Sequence, residues 1–221
     1  MKIALDGPSG AGKSTLAKNI AKRLGIVYVD TGALYRSIGL YVMRHNVDKT
    51  DSKKIISMIS DIKLNIKFVD GEQRVIMNGE DVSPLIRTGE IAMYASAVSA
   101  IPEVRAFLLD TQRKIANDND VIMDGRDIGT VILPDADVKI FLIASPEARA
   151  RRRYEELLEK GEKCTYEQVL SDIKKRDNDD STRKIAPAVP ADDAVFLDNS
   201  DYIPEQTLEA ALNIIKSKVR K

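Results

Sequence analysis

The chain has 221 residues, with 34 Lys and Arg against 34 Asp and Glu, 43% hydrophobic residues and one cysteine. That length supports one sizeable core with room for an insertion. The balanced charge excludes a general attraction to nucleic acid or to an anionic membrane, so an anionic ligand has to be held by locally placed cations. The lone Cys164 excludes an internal disulfide and reads as an inert thiol near a loop. No apolar run reaches the length of a membrane span, and the opening run Ile3-Ala4-Leu5 is too short for a signal peptide, so a cytoplasmic location is expected.

Lys2 to Asp6 reads as a buried strand, and Thr15 to Leu24 as a helix with Leu16, Ala17, Ile20, Ala21 and Leu24 at helical spacing. Between them lies Gly7-Pro8-Ser9-Gly10-Ala11-Gly12-Lys13-Ser14, which fits G-x-x-x-x-G-K-[ST] in full. Strand, glycine-rich turn and helix is the context that makes this pattern a P-loop. Backbone N–H groups from Gly7 to Thr15 can point inward at an anion, and the helix N-terminus adds its partial positive charge. Lys13 offers a mobile ammonium to the terminal phosphates, and the Ser14 hydroxyl is a ligand for Mg²⁺.

Gly25 closes that helix, and Ile26 to Val29 reads as a second buried strand. A helix from Ala33 to about Arg44 follows, with Thr31 placed as its N-cap. Asp30 and Thr31 stand at a strand's carboxyl end, where open α/β sheets bind ligands, and Arg36 lies one turn further on. His45, the only histidine, sits at a helix end and takes no catalytic role. A short helix from Ser52 to Ile59 comes next. Then the period changes: Leu64, Ile66 and Phe68 alternate with polar residues, Asp70-Gly71 supplies a hairpin turn, and Val75 and Met77 answer. This antiparallel unit interrupts the α/β alternation and reads as an inserted subdomain. Two helices follow, Thr88 to Ser99 and one opened by Pro102. Their apolar stripes leave Ser96 and Arg105 outside, so on the residues alone both read as surface groups.

Asp120 to Gly129 is the second stretch that demands explanation, because an apolar strand ends in Asp124-Gly125-Arg126-Asp127. Arg126 and Asp127 there have a claim to function as polar loop residues at a strand's carboxyl end. Pro134 to Asp137 reads as turn chemistry leading into the strand Val138 to Ile143. Ser145-Pro146 opens a helix carrying Arg149, Arg151, Arg152 and Arg153, read as a solvated face with i,i+4 pairs such as Arg151–Glu155 and Arg152–Glu156. A helix from Tyr166 to Arg176 precedes a run of mixed charge to Lys184. Ala186 to Pro190 forms a stiff loop, Ala194 to Asp198 the last strand, and Glu205 to Val219 a closing helix.

About five buried strands alternating with helices define an α/β sandwich with a mainly parallel sheet. The P-loop implies a nucleoside triphosphate and Mg²⁺. A GTPase would carry N-K-x-D and D-x-x-G, and a motor ATPase a Glu after its strand-end Asp; here Asp124 precedes Gly125. Arginines instead crowd the candidate ligand loops: Arg36, Arg105, Arg126, Arg152, Arg153, Arg176 and Arg183. Transfer to a phosphate acceptor needs little base catalysis but much charge neutralisation, which suits that inventory. Kinases for UMP, AMP or a metabolite hydroxyl remain competing readings. So does a nucleotide-gated module using the Arg149 to Arg153 helix on RNA or DNA.

Four segments together, the P-loop, Asp30-Thr-Gly-Ala-Leu-Tyr-Arg36, Asp124-Gly-Arg-Asp-Ile-Gly129 and Lys175-Arg-Asp-x-x-Asp-x-x-Arg183, resemble the bacterial cytidylate kinase family. The resemblance runs from residue 1 to the final strand. It implies a single P-loop kinase domain over 1–221, a three-layer sandwich with an acceptor-binding insert at 62–100 and a short lid at 149–166. It further implies ATP-dependent phosphorylation of CMP and dCMP, with ATP and Mg²⁺, no nucleic acid or membrane partner, and a monomer. By motif position it assigns Thr31, Arg36, Arg126 and Arg183 to the acceptor phosphate. Ser96, Arg105 and Asp127 fall to the cytosine edge, and Asp180 with Arg176 to the ribose. Lys13, Arg126, Arg183 and the lid arginines Arg152 and Arg153 are its catalytic cations.

Overall fold

A computed structural model describes residues 1–219 of the chain. The strands are β1 (Lys2–Asp6), β2 (Val27–Asp30), β3 (Leu64–Val69), β4 (Glu72–Met77), β5 (Glu80–Asp81), β6 (Val121–Asp124), β7 (Val138–Ile143) and β8 (Val195–Asp198). The first helices are α1 (Lys13–Leu24), α2 (Thr31–Arg44), α3 (Ser52–Met58) and α4 (Gly89–Val98). The rest are α5 (Pro102–Asp118), α6 (Pro146–Glu159), α7 (Tyr166–Thr182) and α8 (Pro204–Val219). They make an α/β protein with a five-stranded sheet and a separate three-stranded sheet. Two compact units share the chain, Met1–Ile26 with Val121–Lys221, and Val27–Asp120.

In the first unit β6, β1, β7 and β8 lie side by side in that order, all parallel. Ile3, Ala4 and Leu5 of β1 and Val121, Ile122 and Met123 of β6 are fully buried, as strands covered on both faces require. The register sets Leu5 beside Asp124 and Asp6 beside Phe141, so each strand's polar end comes out at one level. Gly25, in the left-handed region, closes α1 as expected. Ser145 caps α6 by accepting from the Ala148 N–H, with Pro146 in the first turn. Helix α7 runs on to Thr182, so the mixed-charge run expected after Arg176 is mostly helical. A capping box at Thr165 and Gln168 and the apolar anchors Val169 and Ile173 start the helix, and the pairs of Asp177 with Arg149 and Asp180 with Arg126 hold its later turns.

In the second unit β3 pairs antiparallel with β4, Leu64 opposite Met77 and Ile66 opposite Val75, as the alternation predicts. Phe68, however, is exposed beyond the reach of the core. Asp70-Gly71 and Asn78-Gly79 all take positive φ, the signature of tight hairpin turns. The core of this unit gathers Leu34, Ile38 and Val42 of α2 with Ile91 and Val98 of α4 and Val104 and Leu108 of α5. Each such side chain stabilises the fold by roughly 1.5–3 kcal/mol on burial. Helix α2 begins at Thr31 itself, and its cap is Asp30, whose carboxylate accepts from the Ala33 N–H at 2.9 Å. The expectation that Thr31 caps the helix is therefore corrected: a carboxylate one residue earlier reaches the orphan donor, and Thr31 is buried inside the first turn. Among the described residues no single helix is long and apolar enough to cross a membrane.

Candidate active site

The P-loop connects β1 to α1 through a path open only to glycine at its start. Gly7 has φ 144°, and a Cβ there would lie 2.0 Å from the Leu142 carbonyl oxygen. Helix α1 is preceded by Gly12 and has no side-chain cap, so its first-turn N–H groups face the loop's concavity as anion donors. Lys13 is buried, and its Nζ donates to the Pro8 carbonyl at 2.7 Å. Burial holds its ammonium well below the usual lysine range; the positive charges of Arg126 and Arg176 press the same way, against Asp124 and Asp6. A triphosphate beside it would reverse that balance.

Ser14 Oγ donates to Asp124 Oδ2 at 2.8 Å, and the Asp124 carboxylate comes from the buried end of β6. Two hard oxygen groups held side by side at the mouth of a phosphate cradle fit Mg²⁺, which takes one or two protein ligands and completes its shell from phosphates and water. The P-loop pattern points to Ser14 alone; the signal for Asp124 is its place at a strand end beside the P-loop strand.

Asp6, the last residue of β1, is buried and accepts from the N–H groups of Ile128 at 2.8 Å and Gly129 at 2.7 Å. Burial pushes its carboxyl up from 3.8 to about 6, with Asp127 adding to the rise while the two N–H donors and Lys13 oppose it. Ionising Asp6 in the folded chain therefore costs stability. Its contribution is fully present below pH 3.8 and is lost as the pH rises through about 6, a change of roughly 3 kcal/mol for a rise of about two pH units. Urea unfolding from pH 4 to 7 is expected to show this downward slope in the wild type relative to Asp6→Asn; parallel curves would sink the assignment.

Arg126 donates from Nε to Asp180 Oδ2 at 3.0 Å, and Arg183 stands 3.8 Å from the other oxygen of the same carboxylate. Arg183 Nε also donates to the Ala186 carbonyl at 2.6 Å, which pins the loop after α7. Arg126 is thus brought to Asp180 and Arg183 from 54 residues away in the chain. Asp127 is buried at the start of the irregular turn Ile128–Ile132.

Arg149 is not on a solvated face. It is 3% exposed, donates from Nε to the Ala144 carbonyl and from Nη1 to the Ser9 carbonyl, and forms a two-pronged pair with Asp177 at 2.9 and 2.6 Å. Arg152 likewise departs from the expected pair with Glu156. It donates to the carbonyls of Asn199 at 2.6 Å and Ser200 at 3.3 Å, while Glu156 binds Arg153 and Lys160. Backbone carbonyls just past β8, one of them on the buried Asn199, hold the guanidinium in place of an exposed carboxylate. Asn199, buried, donates from Nδ2 to the Ala11 carbonyl at 3.1 Å and ties the P-loop to the same place. Nothing in the linear pattern marked Asn199, and although Asp177 is a fixed position of the Lys175–Arg183 segment, nothing paired it with Arg149.

The second unit carries its own polar cluster. Asp30 Oδ2 pairs with Arg36 at 2.7 Å, and Arg87 reaches the same oxygen at 4.0 Å. The Gln73 side chain accepts from the Asp30 N–H at 2.8 Å and donates to its carbonyl at 3.1 Å, tying β4 to the end of β2. The Arg36 Nε is buried without a hydrogen-bond partner, a vacant donor. Arg105 is half-buried rather than a surface group, with its guanidinium 5.6 Å from the Tyr35 ring centre and a donor 3.3 Å from the Ser99 carbonyl. Ser96 is exposed on α4, as its place off the stripe predicts.

A glycine-lined anion cradle, a buried lysine at the helix start, a Ser–Asp pair and converging arginines define a P-loop phosphotransferase. The profile of the cytidylate kinase family matches residues 3–217. The chain is 51% identical over 222 residues to the cytidylate kinase of Caldanaerobacter subterraneus subsp. tengcongensis, covering 100% of this chain and 96% of that one. It is 47% identical over 220 residues to that of Caldicellulosiruptor bescii, covering 100% and 97%. An uncharacterised protein from Eubacterium ventriosum shares the fold at 14% identity, with a TM-score of 0.54 over 98% of each chain. The chain belongs to the cytidylate kinase family, nucleoside monophosphate kinases that phosphorylate CMP and dCMP.

Proposed function

We propose that the chain transfers the γ-phosphoryl group of ATP directly and in line to the phosphate of CMP or dCMP, as a cytoplasmic monomer serving pyrimidine nucleotide metabolism. The observation that carries this reading is the buried Lys13 set among Asp124, Asp6, Arg126 and Arg176. In it, residues Gly7, Pro8, Ser9, Gly10, Ala11, Gly12, Lys13, Ser14 and Thr15 bind the triphosphate. Lys13 follows the migrating group and neutralises charge that spreads onto its oxygens in the transition state. Ser14 and Asp124 would hold Mg²⁺, which neutralises phosphate charge when bound. Thr31, Arg36, Arg126 and Arg183 hold the acceptor phosphate; the vacant Arg36 Nε supports its share. Asp180 and Arg176 take the ribose hydroxyls.

The region 149–166 acts as the lid in this reading, with Arg152 and Arg153 as its catalytic cations. Each must exchange a present bond, to Asn199 and Ser200 or to Glu156, for a phosphate oxygen when the lid closes and water is excluded. Ser96, Arg105 and Asp127 read the base. Cytosine offers an amino donor where uracil offers an acceptor, so a carboxylate favours cytosine and leaves a buried group unpaired against uracil.

ADP formation from ATP and Mg²⁺ with CMP, dCMP, UMP, AMP and GMP in turn tests the function; turnover led by UMP, AMP or GMP would overturn it. Asp127→Ala is expected to lower the CMP over UMP ratio of kcat/KM by about tenfold or more, the worth of one or two lost polar contacts, with KM for ATP little changed. An unaltered ratio would move base reading elsewhere.

A further inference from the structure

The loop proposed to read the acceptor, Arg126-Asp127, is short, rich in glycine and followed by an irregular five-residue turn, Ile128–Ile132. Such a turn begins with unpaired N–H groups that need a cap. Asp127 stands in the capping position, at φ −144° and ψ 30°, but its side chain makes no capping bond. The cap comes instead from across the sheet. Asp6 Oδ1 accepts from the Ile128 N–H and Oδ2 from the Gly129 N–H, so one buried carboxylate satisfies both leading donors. A Cβ on Gly129 would sit tight against Lys139 Cδ at 3.1 Å but only in ordinary contact with Asp6 Oδ2 at 3.4 Å. The Lys139 ammonium is itself committed, to Asp193 at 2.8 Å.

We propose that Asp6 is a positioning residue for acceptor recognition, fixing the Arg126–Asp127 loop by capping the turn behind it from the end of β1. The inference rests on the assignment of Arg126 and Asp127 to the acceptor, and it assigns Asp6 a role the P-loop pattern does not include. By capping the turn in trans, the fold leaves the orientation of the Asp127 carboxylate to be set by something other than helix-end chemistry. A carboxylate can accept both N–H groups, whereas an amide of the same shape accepts one and turns a donor toward the other. Asp6→Asn therefore loosens the loop while keeping size and packing. Although Asp6 adjoins Gly7, the two bonds run to the acceptor loop, so the effect should fall on the acceptor and not on ATP.

The test is steady-state kinetics of Asp6→Asn with CMP, UMP and ATP each varied, beside hydrogen exchange at the Ile128 and Gly129 amides. Expected are a rise in KM for CMP of about tenfold, as for a lost buried polar contact, a fallen CMP over UMP ratio, faster exchange at both amides, and KM for ATP within about twofold of wild type. Asp6→Glu, which keeps the charge but moves the carboxylate by one methylene, should shift KM for CMP in the same direction and decides the matter if the first variant does not fold. KM values for CMP and ATP that rise together would overturn the proposal, since Asp6 would then be general scaffold. So would an unchanged KM for CMP in a folded variant. Asp127→Ala measured alongside separates the two readings: if it leaves the CMP over UMP ratio intact, the base-reading assignment fails whatever Asp6 does.

Discussion

Lys13→Ala is expected to cut kcat about a thousandfold, the scale on which fixed cations and donors act on developing charge at phosphoryl and oxyanion centres. The structure argues for an effect this large because Lys13 cannot be replaced by a neighbour. Its Nζ rests on the Pro8 carbonyl inside the loop, and Arg126, whose charge weighs on it, is already committed to Asp180. Burial keeps the ammonium in an unfavourable setting until a triphosphate arrives beside it. Removal of a buried cation of this kind should leave the free energy of unfolding in urea within about 1 kcal/mol of wild type, because a buried charge costs stability. Single-turnover transfer to CMP at saturating ATP separates chemistry from binding. A kcat within tenfold of wild type would remove Lys13 from the transition state.

The parts legible in the sequence were those with local causes. The strand–loop–helix pattern, the Asp70-Gly71 turn, the Ser145 cap and the Gly25 stop each depend on residues within a few positions, and all are found where the pattern put them. The motif arginines divide: Arg183 stands beside Asp180 of its own motif, whereas Arg126 reaches the same carboxylate from a different motif 54 residues away. What the sequence concealed were choices settled by distant competition. Thr31 and Asp30 are both good caps, and the winner depended on Arg36 and Gln73 fixing Asp30 at the strand end. Arg152 has a suitable partner four residues away, yet carbonyls at Asn199 and Ser200 take it. Asp6 looked like the polar end of a strand until the turn at Ile128 was seen to need its two oxygens.

Arg149 shows how far such competition can reach, and its loss should be the most damaging to stability. Arg149→Ala is expected to destabilise the chain by about 3 kcal/mol, near the lower end for breaking a buried ion pair because Asp177 keeps some access to water. The one guanidinium joins three places: the Ala144 carbonyl at the end of β7, the Ser9 carbonyl at the crest of the P-loop, and Asp177 one residue after Arg176 on α7. Truncation leaves the Ser9 and Ala144 carbonyls and a carboxylate without their donor. Arg149→Lys should keep the charge but lose the fork, recovering roughly half of the stability, because an ammonium cannot match both carboxylate oxygens and two carbonyls at once. Asp177→Asn, which retains one acceptor, should cost about 1 kcal/mol, and the double variant less than the sum of the two. The same tether predicts a change in ATP binding. With Ser9 released, the loop crest is less preorganised and KM for ATP should rise several-fold while KM for CMP follows less. Urea unfolding and two-substrate kinetics on the same four proteins decide it. If Arg149→Ala unfolds at the wild-type midpoint, the pair is an ornament of α6 and α7, and the P-loop is held by Asn199 and its own helix alone.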